Sequence, residues 1–311
     1  MSTGDTARGE AVSGDIPGAA PKPKAVLSDE LKRRIAERVK AWRVRAQRAV
    51  ATETSALVFG TRDGKPVVVK VARAPGDEWR SGEIAAAFGG RGVVQVHDHA
   101  AGAALLERLV PGTPLVSLVL EGRDDEAAEI LAALVQRMSP GDAPAGCATV
   151  EQWGLAFGRY LATDDARIPR DLVLQAQRVY SELAAAQRAP ALLHGDLQHY
   201  NVLRDDARGW VAIDPKGVIG ELEYEIGAAL RNPNERPDII ASPETIERRL
   251  EIFYSALGID VDRARAWAFA QGVLSAIWSV EDGRAVGESN AALGLARAIQ
   301  QSAVFRADFG E

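Results

Sequence analysis

The chain contains one cysteine, Cys147, and has neither a long apolar run nor an excess of positive charge. A single thiol excludes an internal disulfide framework and is typical of the reducing cytosol, so we expect a cytoplasmic location. No stretch approaches the roughly 18 consecutive apolar residues of a membrane span, and residues 1–24 lack the basic-then-apolar pattern expected of a secretory signal. The net charge of −6 argues against a nucleic acid partner, because phosphate backbones bind clustered Lys and Arg.

Large apolar side chains are also nearly missing from residues 1–24, which are rich in Gly, Ala, Ser, Thr and Pro. Such a segment cannot offset the entropy cost of its own ordering, so we predict a disordered tail.

In residues 25–109, Ser28 followed by two acids predicts a helix start. Apolar runs on either side of Asp63-Gly64 predict a β-hairpin.

In residues 110–311, Ala/Leu/Arg-rich segments with helical spacing predominate. A short β-like insert at residues 191–214 interrupts them. The sequence therefore predicts an α+β fold with a small β-rich N-terminal lobe and a larger helical C-terminal lobe. The predicted helices of the second lobe cover about residues 124–139, 150–162, 170–189, 242–257, 260–282 and 287–305.

The β-like insert carries the most informative polar residues of the chain. Asp196 is followed by Asn201 five residues later, and Asp214 follows the next apolar run. Phosphoryl transfer needs a carboxylate that orients the attacking hydroxyl, and oxygen donors that hold magnesium against a triphosphate. In isolation Asp196 would be an ordinary turn residue and Asn201 a helix cap, but the apolar segments around the motif favour the catalytic interpretation.

The run His194-Gly195-Asp196-Leu197, with Asn201 and the later Ile213-Asp214, resembles the aminoglycoside phosphotransferase superfamily, which shares the protein-kinase fold. The continuation Pro215-Lys216-Gly217 is similar to the streptomycin 6-kinase and hydroxyurea phosphotransferase branch. This resemblance implies an enzyme that uses ATP and Mg²⁺ to phosphorylate a hydroxyl of a small molecule. It makes Asp196 the catalytic carboxylate, Asn201 and Asp214 the magnesium ligands, and Glu225 a structural support of the catalytic loop.

The same resemblance requires a lysine for the nucleotide phosphates in the N-terminal lobe. Lys70 ends an apolar strand and suits this role. Its partner should be a glutamate on the next helix, for which we choose Glu83, with Glu78 as the rival.

A glycine-rich phosphate loop is absent before the hairpin, and Thr54 and Ser55 are the candidate phosphate contacts there. Backbone groups from Glu107 to Leu109 correspond to the hinge that binds adenine in kinase-like folds. These assignments complete the predicted nucleotide site.

The branch resemblance points to a streptomycin-type aminoglycoside or to hydroxyurea as the acceptor. The acidic balance suits a cationic ligand, but an ordinary soluble surface is the favoured explanation of it. His199 is a candidate to face the acceptor, whereas His97 and His99 are interpreted as surface residues. Carboxylates that would pair with guanidinium groups are Glu221, Glu223, Glu281 and Asp282.

Three alternatives remain open: a kinase of another small metabolite, a non-catalytic nucleotide-binding pseudokinase, and, less favoured, a protein kinase. Pro215 in place of an aromatic switch residue and the lack of an Ala-Pro-Glu segment argue against the protein kinase. The sequence leaves the oligomeric state undetermined.

Overall fold

The computed structural model describes residues 27–138, 142–287 and 289–309. The N-terminal lobe has an antiparallel five-stranded sheet in the order β1-β2-β3-β5-β4. Its elements are α1 (Asp29–Ala41), β1 (Arg45–Ala51), β2 (Ser55–Arg62), β3 (Lys65–Ala72), a 3₁₀ helix (Asp77–Arg80), α2 (Ser81–Ala87), β4 (Val96–Ala100) and β5 (Ala103–Glu107).

The central strand β3 explains where Lys70 lies. Side chains alternate between the two faces of a strand, and Val67, Val69 and Val71 point into the lobe's core. Lys70 therefore points to the opposite face, towards the C-terminal lobe. It pairs with Leu57 on one side and Ala104 on the other, which holds its backbone in the middle of the sheet.

The C-terminal lobe is mainly helical and carries two small three-stranded sheets, in the orders β10-β9-β6 and β7-β11-β8. Its elements are β6 (Pro111–Pro114), α3 (Val116–Leu120), α4 (Asp124–Arg137), β7 (Ala148–Thr149), α5 (Val150–Leu161), α6 (Arg170–Ala185), β8 (Ala191–Leu193), β9 (Val202–Asp205), β10 (Gly209–Ala212), β11 (Val218–Gly220), α7 (Leu222–Leu230), α8 (Pro237–Ile240), α9 (Pro243–Leu257), α10 (Val261–Glu281), α11 (Ala291–Gln301) and α12 (Ala303–Phe309).

The core of this lobe surrounds α10, whose residue Trp267 is fully buried. Trp267 makes edge-to-face contacts with Tyr180 of α6 and Tyr224 of α7, with ring centroids 4.9 Å apart in both pairs. Aromatic pairs in this geometry add to the free energy of area burial. These contacts fix α7 against α10, and α7 in turn supports the loop between β8 and β9.

Several sequence-based predictions are confirmed. The Ser28 hydroxyl accepts a hydrogen bond from Leu31 N at 3.2 Å and caps α1. The α+β class with two lobes and all six long helical segments are present, although the last is divided into α11 and α12.

Other expectations differ from the structure or concern residues outside the described ranges. Strand β1 was not predicted, because its side chains are mostly exposed and lack apolar alternation. The helix that was expected to carry the glutamate partner of Lys70 begins as a 3₁₀ turn and becomes α-helical only at Ser81. The predicted disordered tail, residues 1–24, lies outside the described residues, and the lobe boundaries at residues 25–109 and 110–311 stay predictions. Within the described ranges, no helix is both long and apolar enough to cross a bilayer.

Candidate active site

Asp196 and Asn201 lie in the loop between β8 and β9. The Asn201 side-chain amide donates to the Asp196 backbone oxygen and to Asp196 Oδ2, both at 2.9 Å. These two hydrogen bonds fix the Asp196 carboxylate and occupy the amide nitrogen of Asn201. The oxygen Oδ1 is then the atom with which Asn201 would bind a cation.

Asp214 lies beside this loop because β9 and β10 form a hairpin. Ile213 N donates to Asn201 O at 2.8 Å, which joins the two ends of the hairpin. Asp214 adopts a φ of 60°, a left-handed conformation that is uncommon outside glycine and that directs its carboxylate into the interlobe cleft. The residues predicted from the motif are therefore neighbours in space.

The donor set suits magnesium. Mg²⁺ prefers oxygen ligands and commonly takes only one or two from protein, with phosphate and water oxygens completing its shell. Asp214 and Asn201 supply one carboxylate and one amide oxygen. Across the described parts of the chain, no group of three or more His, Cys, Asp and Glu side chains could hold a metal independently of a nucleotide.

Two buried residues support the catalytic loop. Glu225, on α7, accepts hydrogen bonds from Gly195 N at 3.1 and 3.3 Å, which agrees with its predicted structural role. Burial raises the pKa of Glu225 to about 7, against the opposing effect of the backbone N–H groups. The His194 ring contacts Ile213 O at 3.0 Å, and burial lowers the pKa of His194 to about 4, so the ring is neutral at pH 7.

The charge environment of the two aspartates differs. Burial raises the pKa of Asp196 above its usual range, and the positive charges of Arg231 and Lys216 offset only part of this effect. Burial also acts to raise the pKa of Asp214, but Lys70 and Lys216 outweigh it and lower that pKa. Asp196 is therefore the better proton acceptor of the two, and Asp214 the more firmly ionised carboxylate.

Lys70 reaches the cleft from β3 and pairs with both Asp214 and Glu78. The sequence-based choice of Glu83 as its partner was wrong. Glu83 lies on α2, where its carboxylate accepts from Arg80 Nε at 2.9 Å. The preceding 3₁₀ turn changes the direction in which side chains leave the helix, so that Glu78, buried in that turn, faces the lysine instead.

Two further cations belong to the site but received no role from the sequence. Lys216 pairs with Glu78 and lies 3.7 Å from Asp214 Oδ2. Arg231, which follows α7, places Nη2 3.4 Å from Asp196 Oδ1 and donates through Nη1 to Gln271 at 2.8 Å. Lys216 stood inside the Asp-Pro-Lys-Gly motif, so its position next to Asp214 was the available signal.

The other four residues predicted to contact the nucleotide lie at the β1–β2 turn and at or just after the end of β5. Thr54 is exposed at the turn between β1 and β2. Ser55 is buried, and its hydroxyl lies 3.0 Å from that of Thr52 within the same turn. Glu107 ends β5 and accepts from Gln95 N at 2.7 Å, while Leu109 is buried. The roles of these four residues towards a nucleotide stay predictions.

A cavity of about 780 Å³ adjoins Asp196 on the side of the helical lobe. Trp153 and Trp278 form one wall and contact each other edge to face, with ring centroids 5.4 Å apart. Both rings are half-buried, in contrast to the fully buried Trp267. Polar side chains complete the lining, among them Gln152, Gln198, Ser275 and Ser279.

Two of the four predicted acceptor carboxylates line this cavity. Glu281 and Asp282, at the end of α10, are both in its wall. Glu221 is fully buried and accepts from Arg263 Nε at 2.5 Å, and Glu223 is buried against Asp260 N at 3.1 Å. The prediction that Glu221 and Glu223 could meet an acceptor was therefore wrong, because their carboxylates stabilise contacts inside the lobe.

His199 does not face the cavity either, contrary to the sequence-based interpretation. Its ring is completely buried, and both ring nitrogens lack a hydrogen-bond partner within the described part of the chain. Burial lowers its pKa to about 3. His97 and His99 are exposed on β4, as expected.

The two-lobed fold and the cleft between Lys70 and the Asp196 loop are those of a kinase-like phosphotransferase. The sequence from residue 41 to residue 283 matches the family described as aminoglycoside/hydroxyurea antibiotic resistance kinase. The chain belongs to this family. Its activity is accordingly the ATP-dependent phosphorylation of a small molecule.

Characterised relatives include a streptomycin 3''-kinase of Klebsiella pneumoniae, 34% identical over 249 residues, which are 78% of this chain and 91% of the relative. A hydroxyurea phosphotransferase of Kitasatospora aureofaciens is 33% identical over 265 residues, covering 80% and 73% of the two chains. Among solved structures, a choline kinase of Streptococcus pneumoniae has a TM-score of 0.58 at 16% identity, over 88% of this chain and 98% of its own. At that identity the likeness concerns the fold alone.

Proposed function

We propose that the chain transfers the γ-phosphoryl group of ATP to a hydroxyl of a streptomycin-type aminoglycoside, with Mg²⁺ as cofactor. The observation that carries the proposal is the cavity of about 780 Å³ that adjoins Asp196. Sites for ligands of drug size commonly have about 300–1,000 Å³. A multi-ring aminoglycoside would fill such a space and bring one hydroxyl to Asp196.

In this proposal the chain contributes mainly position and charge. Asp196 orients the acceptor hydroxyl and accepts its proton as the oxygen attacks the γ-phosphorus. The bond between that phosphorus and the β,γ-bridging oxygen breaks, and ADP leaves with the electron pair. Lys70 binds the α- and β-phosphates. Asn201 and Asp214 would hold magnesium, which supplies positive charge to the phosphate oxygens when it is bound.

Recognition of a cationic acceptor is assigned to the outer end of the cavity. Arg159 donates to the Glu281 carboxylate through Nε at 2.9 Å and Nη2 at 3.1 Å. Both side chains are partly exposed, at 56% and 35% of their surface, so the pair is weakly held. A guanidinium of the acceptor offers the same two-pronged geometry and can replace Arg159 on Glu281. The half-buried rings of Trp153 and Trp278 provide an apolar surface for the sugar rings.

Hydroxyurea is the second candidate, favoured by the 33% identical hydroxyurea phosphotransferase. Hydroxyurea has few heavy atoms, so it would leave most of the cavity unfilled. It would make no contact that needs Glu281 or the two tryptophans. We place it behind the aminoglycoside for this reason. A cytoplasmic location, where the ATP concentration is high, belongs to the same proposal.

A coupled assay of ADP release decides between these acceptors. Purified chain, ATP and Mg²⁺ are incubated with streptomycin, with an aminoglycoside that lacks guanidinium groups, with hydroxyurea, and with amino alcohols and sugars. Turnover restricted to streptomycin supports the proposal, and mass and ³¹P spectra of the product identify the phosphorylated hydroxyl. Turnover with hydroxyurea alone supports the second candidate. ATP binding without turnover on any acceptor contradicts both and favours a non-catalytic module.

The catalytic carboxylate is tested in the same assay by D196N. We expect kcat to fall by about 10²–10⁴-fold, because the variant cannot accept the hydroxyl proton. Binding of Mg-ADP should change little. D206N is the matched control, since Asp206 is exposed in the β9–β10 turn. Equal activity of D196N and D206N would remove Asp196 from its assigned role.

A further inference from the structure

The cleft contains a second lysine that the proposed roles do not use. Lys216 pairs with Glu78 Oε1, while Lys70 pairs with Glu78 Oε2, so one carboxylate carries two ammonium groups. Lys70 is also paired with Asp214, so the two lysines and the two carboxylates form one cluster of balanced charge. Lys216 also lines the acceptor cavity, together with Asp196 and Arg231. Its ammonium group therefore lies where the nucleotide cleft meets the acceptor site.

The backbone around Lys216 is fixed to the catalytic loop. Lys216 N and Gly217 N both donate to His194 O, at 2.8 and 3.1 Å. His194 precedes Asp196 by two residues, and its Nδ1 lies 3.3 Å from Asp196 N. The backbones of Lys216 and Asp196 are therefore both hydrogen-bonded to His194, which fixes the two residues relative to each other.

Glycine at position 217 makes this arrangement possible. Gly217 has a φ of 73°, and a Cβ there would lie 2.7 Å from Cγ2 of Ile84 on α2. The glycine allows the segment after Asp214 to pass closely under the N-terminal lobe. This close approach brings Lys216 to Glu78 of that lobe.

Among the residues that the structure describes, the N–H donors of Lys216 are only partly used. An ammonium group has three N–H donors, and Glu78 takes one of them. The contact with Asp214 Oδ2 is 3.7 Å long, which exceeds a hydrogen bond. At least one donor thus remains for an oxygen atom between Asp214 and Asp196.

We propose that Lys216 is a catalytic residue that donates to an oxygen of the γ-phosphoryl group as that group passes from ATP to the acceptor. This inference rests on the proposed function. The new bond joins the acceptor oxygen to phosphorus, the bond to the bridging oxygen breaks with its electrons leaving on ADP, and the hydroxyl proton goes to Asp196. Lys216 keeps its proton throughout. Its positive charge opposes the negative charge spread over the three equatorial oxygens in the transition state.

The position of Lys216 predicts how it differs from Lys70 in nucleotide binding. Lys70 binds the α- and β-phosphates, which ADP and ATP share, whereas Lys216 contacts only the γ-phosphoryl group. K216M should therefore weaken binding of Mg-AMP-PNP by about tenfold or more, as expected for a charge-assisted hydrogen bond, and leave Mg-ADP within about twofold. K70M should weaken both nucleotides.

Isothermal titration of the full chain measures these affinities without any acceptor. K216Q is studied in parallel, so that a failure of one variant to fold does not remove the test, and circular dichroism checks folding. K65M is the matched control, because Lys65 is exposed at the start of β3. In the turnover assay, K216M should lower kcat by about 10²–10³-fold, similar to the loss of an oxyanion donor.

The proposal is overturned if the folded variants keep the wild-type ratio of AMP-PNP to ADP affinity. A structural role as partner of Glu78 would weaken both nucleotides together, and that result also overturns it. If the wild-type chain phosphorylates neither aminoglycosides nor hydroxyurea, the proposed acceptors fail while the nucleotide measurement still decides the role of Lys216.

Discussion

Asp124 and Asp125 are adjacent in the first turn of α4, and the same substitution should have very different effects at the two positions. Asp124 is buried and binds Arg249 through two hydrogen bonds, Nε to Oδ2 at 3.0 Å and Nη2 to Oδ1 at 2.5 Å. The Arg249 side chain is only 2% exposed. Asp125 pairs with Arg248, but both of these side chains are about half exposed.

The magnitude follows from what each arginine can do when it loses its partner. Arg249 also donates to Ala229 O at 2.9 Å and to Asn232 O at 2.8 Å, so it cannot turn into solvent without breaking those bonds. Removing one member of a buried pair costs about 3–5 kcal/mol because the other charge stays uncompensated. Arg248 is already hydrated, and an exposed pair contributes about 0–1 kcal/mol. We expect D124N to lose at least about 2 kcal/mol more than D125N.

Urea unfolding followed by tryptophan fluorescence and circular dichroism gives the two free energies of unfolding. Similar slopes for wild type and variants would show that the midpoints can be compared directly. A difference below 1 kcal/mol between D124N and D125N would refute the reasoning. Since Asn232 lines the cavity proposed to bind the acceptor, D124N should also raise the KM of the acceptor, with KM for ATP unchanged.

The remaining predictions concern four glutamates, with a fifth as control. E78Q should weaken ATP binding by about tenfold, because Lys70 and Lys216 lose their shared carboxylate. E83Q should change the affinity for ATP by no more than about twofold. Equal effects of the two variants in titration calorimetry would contradict the assignment of Glu78 as the partner of Lys70. E281Q should raise KM for streptomycin about two- to fivefold, as an exposed contact allows, with the exposed E251Q unchanged. The pKa of Glu225 is raised in the folded chain, so its stabilising effect is complete below pH 4.5 and is lost as pH rises through about 7. Urea unfolding should therefore show wild type losing roughly 3 kcal/mol relative to E225Q across this window, and parallel curves would contradict it.

Secondary structure was predictable where side-chain periodicity coincided with burial. The apolar run next to the Asp63-Gly64 turn predicted β3, and the helical spacing of apolar residues predicted α10, which is buried over most of its length. Strand β1 was not predicted, because its pairing with β2 depends on backbone hydrogen bonds and its side chains show no apolar pattern.

The glutamate partner of Lys70 shows where local sequence stops being informative. Glu78 and Glu83 were both possible, and the choice depended on whether the segment was α-helical from its first residue. A 3₁₀ turn has three residues per turn instead of 3.6. The side chains that follow it therefore point in other directions than in a continuous α-helix, and no local sequence pattern indicated this turn. In the same way, Glu221 looked like a solvent-facing acid until its burial against Arg263 and Trp267 was seen.

The two-lobed fold class, the phosphotransferase family and the candidate residues Asp196, Asn201 and Asp214 could be predicted from the amino-acid order, because a contiguous motif and its flanking strands are local properties. Only the folded structure shows which glutamate contacts Lys70, that Lys216 shares that glutamate, and which polar residues line the cavity next to Asp196. These contacts join residues that are distant along the chain. Their geometry depends on how the lobes and helices pack, and the order of residues does not encode that packing in any pattern that can be read locally.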